Sequence, residues 1–124
     1  MDNQFGIHAL STRVLVPKYI FQVLNSLFEI ENKLSIHGDP GNVRRSIDRI
    51  KEALETEGLF YENPMGQDFA ETRTDVEASI TGVGTDDLQI VEVIKPIIRL
   101  GERSSSRIIQ KGIVVVKSKS RGDA

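Results

Sequence analysis

The apolar residues of this chain change period once, at Gly58, and that change limits what the chain can fold into. Before Gly58 they recur at helical spacing; after it they alternate or run together as strands do. Helices first and strands second point to an α+β fold rather than an interleaved parallel α/β sheet.

In the helical part, Pro17 fits the first turn of a helix, and Ile20, Leu24, Leu27 and Leu34 follow at a/d-like spacing. Phe21, Phe28 and Ile30 widen the stripe, so a helix is predicted over roughly 17–34. Ile36 to Gly41 carries turn chemistry, with Asp39 or Asn42 able to cap a second helix. Val43, Ile47, Ile50 and Leu54 then step 4-3-4, and Gly58 is placed to end that helix, predicted over roughly 42–57. An antiparallel helical hairpin of this size has too little area to stabilise itself, so its seam must meet another surface. A second copy completing a four-helix bundle would provide one; so would the chain's own sheet.

Beyond Gly58, Thr72, Thr74, Val76, Ala78 and Ile80 alternate with Arg73, Asp75, Glu77 and Ser79, which predicts a half-buried strand. Thr81 to Asp87 reads as a turn, and Leu88 to Ile94 has the β-branched density of another strand, limited by Pro96. Ile97 to Leu100 is expected to be extended, Gly101 to Ser106 to be a flexible connection, and Ile108 to Lys117 to be one final strand. Residues 1–13 show no clear period; Phe5 to Leu10 suits either a short strand or an ordered arm. The expected organisation is an arm over 1–16, a dimerising helical hairpin over 17–58, a small all-β domain over 59–119 and a tail over 120–124.

The 124 residues can bury one modest core, and with aromatics at 6% and no Trp it must rest on Ile, Leu and Val. The absence of Cys excludes disulfides, thiolate metal sites and a thiol nucleophile. No secretory leader and no apolar run of membrane-spanning length is read in the sequence, so a cytoplasmic setting is expected. His37 lies near Asp39 in a turn without a third metal-ligating partner, and His8 has no acid beside it except at a distance. Gly82-Val83-Gly84 lacks the third glycine and following helix of a phosphate loop. These absences lead to the expectation of a protein that is not an enzyme and uses no metal or other cofactor. From Lys95 to Arg121 there are eight bases against the single acid Glu102, a net charge of plus seven. Nucleic-acid binding through these basic strands is one alternative, although the segment carries no aromatic residue on which a base could stack.

The order and wording of the second half resemble the β-domain of the GrpE family, the nucleotide exchange factors of DnaK-type chaperones. The residues that carry the resemblance are Gly66-Gln67-Asp68-Phe69, Ile90 to Ile94, Leu100-Gly101-Glu102-Arg103 and Ile108 to Val116, preceded by the paired helices. The likeness spans most of Pro17 to Val116. It departs from the family pattern at Ile97-Ile98, where the family has Gly-Tyr; at Gln110, where it has Arg; and at Ser104 to Arg107, which reads as an insertion. The family's Asp-Pro-x-x-His motif is replaced around Ala70 to Thr74, and its long N-terminal stalk has no counterpart in these residues.

The resemblance implies a homodimeric co-chaperone that binds the nucleotide-binding domain of a DnaK-type chaperone and promotes ADP release without chemistry, by favouring an open state. It implies partner contacts at Arg103, which matches the arginine of the family's Gly-Asp-Arg segment, and at the neighbouring apolar positions Ile94 and Val116. Gln110 falls at a charge-bearing contact position. Dimerisation is implied along Ile20, Leu24, Leu27, Val43, Ile47, Ile50 and Leu54. A divergent dimeric adaptor without exchange activity is the competing expectation.

Overall fold

The computed structural model describes residues 7–9 and 15–119, and they form a mixed α+β chain. Two units divide between Phe60 and Tyr61. In the first, strands β1 (Ile7–Ala9) and β2 (Leu15–Pro17) pair antiparallel, and helices α1 (Lys18–His37) and α2 (Val43–Thr56) follow. Pro17 is the last extended residue before α1 rather than part of its first turn. The helix also outruns its expected end by three residues and stops at Gly38, whose φ of 86° an L side chain rarely adopts. The remaining residues of the predicted arm, and the whole of the predicted tail, lie outside the described residues.

Asp39 settles the choice of cap for α2. Its two carboxylate oxygens accept the backbone N–H groups of Val43 at 2.6 Å and Arg44 at 2.9 Å, while Asn42 sits at φ 57° with no side-chain capping bond. The first N–H groups of a helix have no partner within it, and Asp39 supplies one from outside. The two helices are tied by Glu31, which accepts from Lys51 Nζ at 3.0 Å and Arg44 Nη1 at 3.4 Å. A 20-residue helix cannot meet two residues seven apart on its neighbour through one side chain unless the chain has folded back at 38–42.

β3 (Leu59–Glu62) leads into the second unit, which continues through β4 (Asp68–Phe69), β5 (Val76–Thr81), β6 (Leu88–Lys95), β7 (Ile97–Glu102), β8 (Ser105–Gln110) and β9 (Gly112–Ser118). The strands form two sheets of order β3-β7-β8 and β4-β6-β9-β5. Between them lie Val76, Leu88, Ile90, Ile97, Val114 and Val116, with Phe69, Val93 and Ile108 packed against this core. The chain passes from one sheet to the other three times: through residues 63–67 between β3 and β4, and at two single-residue corners, Pro96 between β6 and β7 and Lys111 between β8 and β9. Pro96 has no N–H to give a ladder, so it suits a corner. Gln110 donates from Nε2 to the carbonyl of Pro96 at 3.0 Å, joining the two corners.

Three expectations for this half are corrected. Ile108 to Lys117 is two strands rather than one, because the corner at Lys111 moves the chain to the other sheet. Gly101 to Ser106 is no flexible connection: Glu102 pairs with Ser105 across a two-residue turn, and Gly101 pairs with Ser106. The strand expected from Thr72 begins only at Val76, since Arg73 holds the preceding loop by donating to both carboxylate oxygens of Asp75 and to the carbonyl of Asp68.

Gly112 occupies the tightest point of the second corner. A Cβ there would lie 3.0 Å from Ile97 Cγ1, 3.2 Å from Val76 Cγ1 and 3.3 Å from the Lys95 carbonyl. Gly112→Ala is expected to cost about 1–3 kcal/mol through overpacking, read as a lower urea midpoint at unchanged slope. A midpoint equal to the wild type would mean that the two sheets are free to part at this corner.

Candidate functional site

Two surfaces, one in each unit, carry exposed apolar side chains in an organised pattern. In the first unit a groove of about 370 Å3 runs between the helices, lined by Tyr19, Val23, Leu27 and Ile30 of α1 and Ile50 of α2, with Gln22 and Ser26 as its polar members. Tyr19 is 66% exposed and Ile50 44%, with Val23 and Ile30 also open to solvent. Tyr19, Val23, Ser26 and Ile30 step 4-3-4 along α1, one residue behind the series Ile20, Leu24 and Leu27, with Ile30 already in the expected apolar stripe. Both stripes have helical period, so period alone could not say which one the fold would cover.

The residues expected at a dimer seam therefore separate into two groups. Ile20, Leu24, Leu27 and Ile47 are already buried in the single chain. A residue without accessible surface cannot supply the burial that drives association, so these four are reassigned to the interior, Leu27 alone also reaching the groove wall. Val43 and Ile50 are exposed, and Leu54 is half-buried. These three remain available to a partner.

In the second unit Val91 and Ile94 of β6 are among the exposed apolar residues, and strand geometry explains both. β6 pairs with β9 through Ile90–Val116, Glu92–Val115, Val93–Val114 and Lys95–Ile113, so Val91 and Ile94 are each an extra residue with no opposite number. Each is a bulge, and the one at Val91 lets the core-facing series of Leu88, Ile90 and Val93 continue while Glu92 keeps to the solvent side. Ile94 is 53% exposed as a result. The β-branched density of Leu88 to Ile94 concealed this arrangement, because nothing in it marks which residue a bulge will eject.

Arg103 lies exposed in the β7–β8 turn, and it makes an interaction of its own within the chain. One implied contact residue is corrected, and a second has a structural role. Val116 is 0% exposed and stands among the core residues, so it cannot touch a partner. Gln110 is half-buried and bonded to the Pro96 carbonyl, a structural duty that accounts for an amide at this position. Part of the basic segment is also answered by acids: Arg99 meets Glu62 at 2.8 Å, and Lys119 meets Asp68 at 2.9 Å and Asp87 at 3.5 Å. Among the described residues no cluster of three His, Asp or Glu side chains could hold a metal ion, and no helix is long and apolar enough to cross a membrane.

The segments that carry the family likeness are adjacent in the second unit. Gly66 donates to the Ile90 carbonyl at 3.0 Å, Ile90 donates to the Gln67 carbonyl at 2.9 Å, and Phe69 pairs with Leu88. No protein-family model, curated protein or solved structure is found to match the chain.

Two carboxylates, one in each unit, titrate in a clear direction. Arg73's hydrogen bonds hold the Asp75 carboxyl below the usual carboxylate range, against an opposing effect of burial. The backbone N–H groups of Arg44 and Val43 do the same for Asp39. A carboxylate depressed in the folded state contributes stability above its unfolded pKa and loses it as pH falls through the folded value. Stability should therefore fall on acidification from about pH 4 downward, and Asp75→Asn should flatten that slope while lowering stability at neutral pH. An unchanged acid slope in the variant would show that the Arg73 pair contributes nothing measurable.

Proposed function

We propose that the chain is a non-catalytic GrpE-like co-chaperone acting in the cytoplasm. In this reading the N-terminal helices form an antiparallel hairpin that dimerises into a bundle. The small β-domain binds the nucleotide-binding domain of a DnaK-type chaperone and promotes ADP release. The observation that carries it is that Gly66 to Phe69 and the Gly112 to Val116 part of β9 both bond to β6, with the bulged Ile94 exposed and Arg103 exposed in its turn. The dimer rests on the apolar groove, since Tyr19, Val23, Ile30 and Ile50 would otherwise leave an apolar stripe in water. A dimeric adaptor without exchange activity is the second reading. It is favoured by the loss of one implied contact, Val116, to the core.

The functional test is release of labelled ADP from a DnaK-type chaperone. Acceleration by the wild-type chain is expected, with Arg103→Ala weakening chaperone binding by roughly 1–2 kcal/mol while its melting temperature stays close to wild type. No acceleration at saturating concentration removes the exchange reading and leaves the adaptor.

Assembly is tested separately by sedimentation at tens of micromolar, on the order of concentrations at which an obligate dimer stays associated. Wild type is expected to sediment as a dimer and Ile50→Lys as a folded monomer. Ile47→Lys should unfold instead, because the charge would be placed inside the chain. A monomeric wild type refutes the dimer.

A further inference from the structure

The larger sheet of the second unit ends in a six-residue edge strand, β5. β5 ends the order β4-β6-β9-β5, so only its β9 side is paired among the described residues. Over six residues it carries no Pro, no Lys or Arg and no register shift, and Glu77 is its one charge. These are the devices by which sheet edges normally avoid further pairing. The opposite edge differs: β4 is two residues long, with Asp68 paired to Lys119.

The side chains of β5 describe what would fit. Side chains in register share a face of the sheet. The rows Ile90–Val116–Ile80 and Val93–Val114–Ala78 run outward from the core and finish uncovered on β5. Val116 is fully buried while Ile80 is 48% exposed, so the apolar row passes from interior to solvent in one strand spacing. On the other face lie Glu77, Ser79 and Thr81, all exposed. The Lys117 side chain reaches across to Gly82, where a glycine Cβ would lie 3.4 Å from its Cε. The polar face of β5 thus has an acid at its start and a base at its end.

We propose that the β5 edge docks an extended peptide segment of a partner protein as an added antiparallel strand. Its apolar residues extend the rows of Ala78 and Ile80, and its polar face carries a base beside Glu77 and an acid toward Lys117. The backbone supplies the attraction through ladder hydrogen bonds, and the alternating side chains supply the register. For an antiparallel strand the charge pair four residues apart fixes the sequence: read from its own N-terminus, the segment has the pattern acid-apolar-polar-apolar-base. This surface is independent of the co-chaperone reading and of the helical groove, so either can fail without the other.

The test titrates the labelled full-length chain with the capped peptide Ser-Glu-Val-Thr-Val-Lys-Ser and follows backbone amide NMR shifts. The expected result is saturable shifts centred on Val76–Thr81, with a dissociation constant on the order of 0.1–1 mM for so short a strand. Exchanging the peptide's Glu and Lys should weaken binding at least about threefold at low salt, and about 1 M salt should erase the difference. Two peptides N-methylated at alternate amides should behave oppositely: one set of amides faces β5, and methylating it abolishes binding, while the other set faces solvent. That comparison leaves the protein untouched. Ile80→Lys, at an exposed position, should also abolish binding with little change in melting temperature. Equal binding by both methylated peptides, shifts centred on α1 and α2, or no shift at several millimolar peptide overturns the proposal. Concentration-dependent self-association abolished by Ile80→Lys would also overturn it, by showing that the occupant is a second copy.

Discussion

The second unit depends on β9, which is paired on both sides and turns its alternate valines inward. Antiparallel pairing to β6 and parallel pairing to β5 make it the strand from which the larger sheet extends in both directions. Val114 and Val116 are almost without exposed surface, and each buried side chain of this size contributes roughly 1.5–3 kcal/mol relative to exposure. A parallel neighbour requires a long crossover, and residues 82–111, including all of β6, β7 and β8, provide it. The two corners at Pro96 and Lys111 are what allow that crossover to pass through the second sheet and return.

That topology accounts for the surfaces left to a partner. The core needs Leu88, Ile90 and Val93 on the same side, a spacing that strict alternation cannot give, and the bulge at Val91 resolves the conflict, while a second bulge leaves Ile94 exposed before the Pro96 corner. β5 enters as the last strand of the sheet, and its apolar residues beyond Val76 lie outside the covering sheet. Exposed apolar surface in this unit therefore follows from the way its core is closed.

In the first unit a similar competition takes place on helices. α1 carries two neighbouring stripes of helical period; Ile20, Leu24 and Leu27 are taken into the interior, which leaves Tyr19, Val23 and Ile30 at the groove. Glu31 fixes the helices' register by meeting both Arg44 and Lys51, and Asp39 fixes where the second helix begins. Side-chain hydrogen bonds of this kind act locally and leave the choice of buried stripe to packing.

The sequence by itself determined the two helices, the mixed α+β class and most strand cores, because period, Gly38, Pro96 and the β-branched runs act over a few residues. It also left Asp39 and Asn42 as the only caps to choose between. Only the tertiary structure decided that Val116 is core and Ile94 is surface, that Gln110 braces a corner, and that Ile108 to Lys117 breaks at Lys111. Each of these depends on which strand lies opposite, and an apolar run reads the same whether it turns a corner, bulges or continues. The candidate site was legible to the same extent: Ile50 and Ile94 could be named from pattern and resemblance, whereas Tyr19, Val23, Val91 and the open edge at Ile80 become visible only once the rest of the apolar surface has been buried.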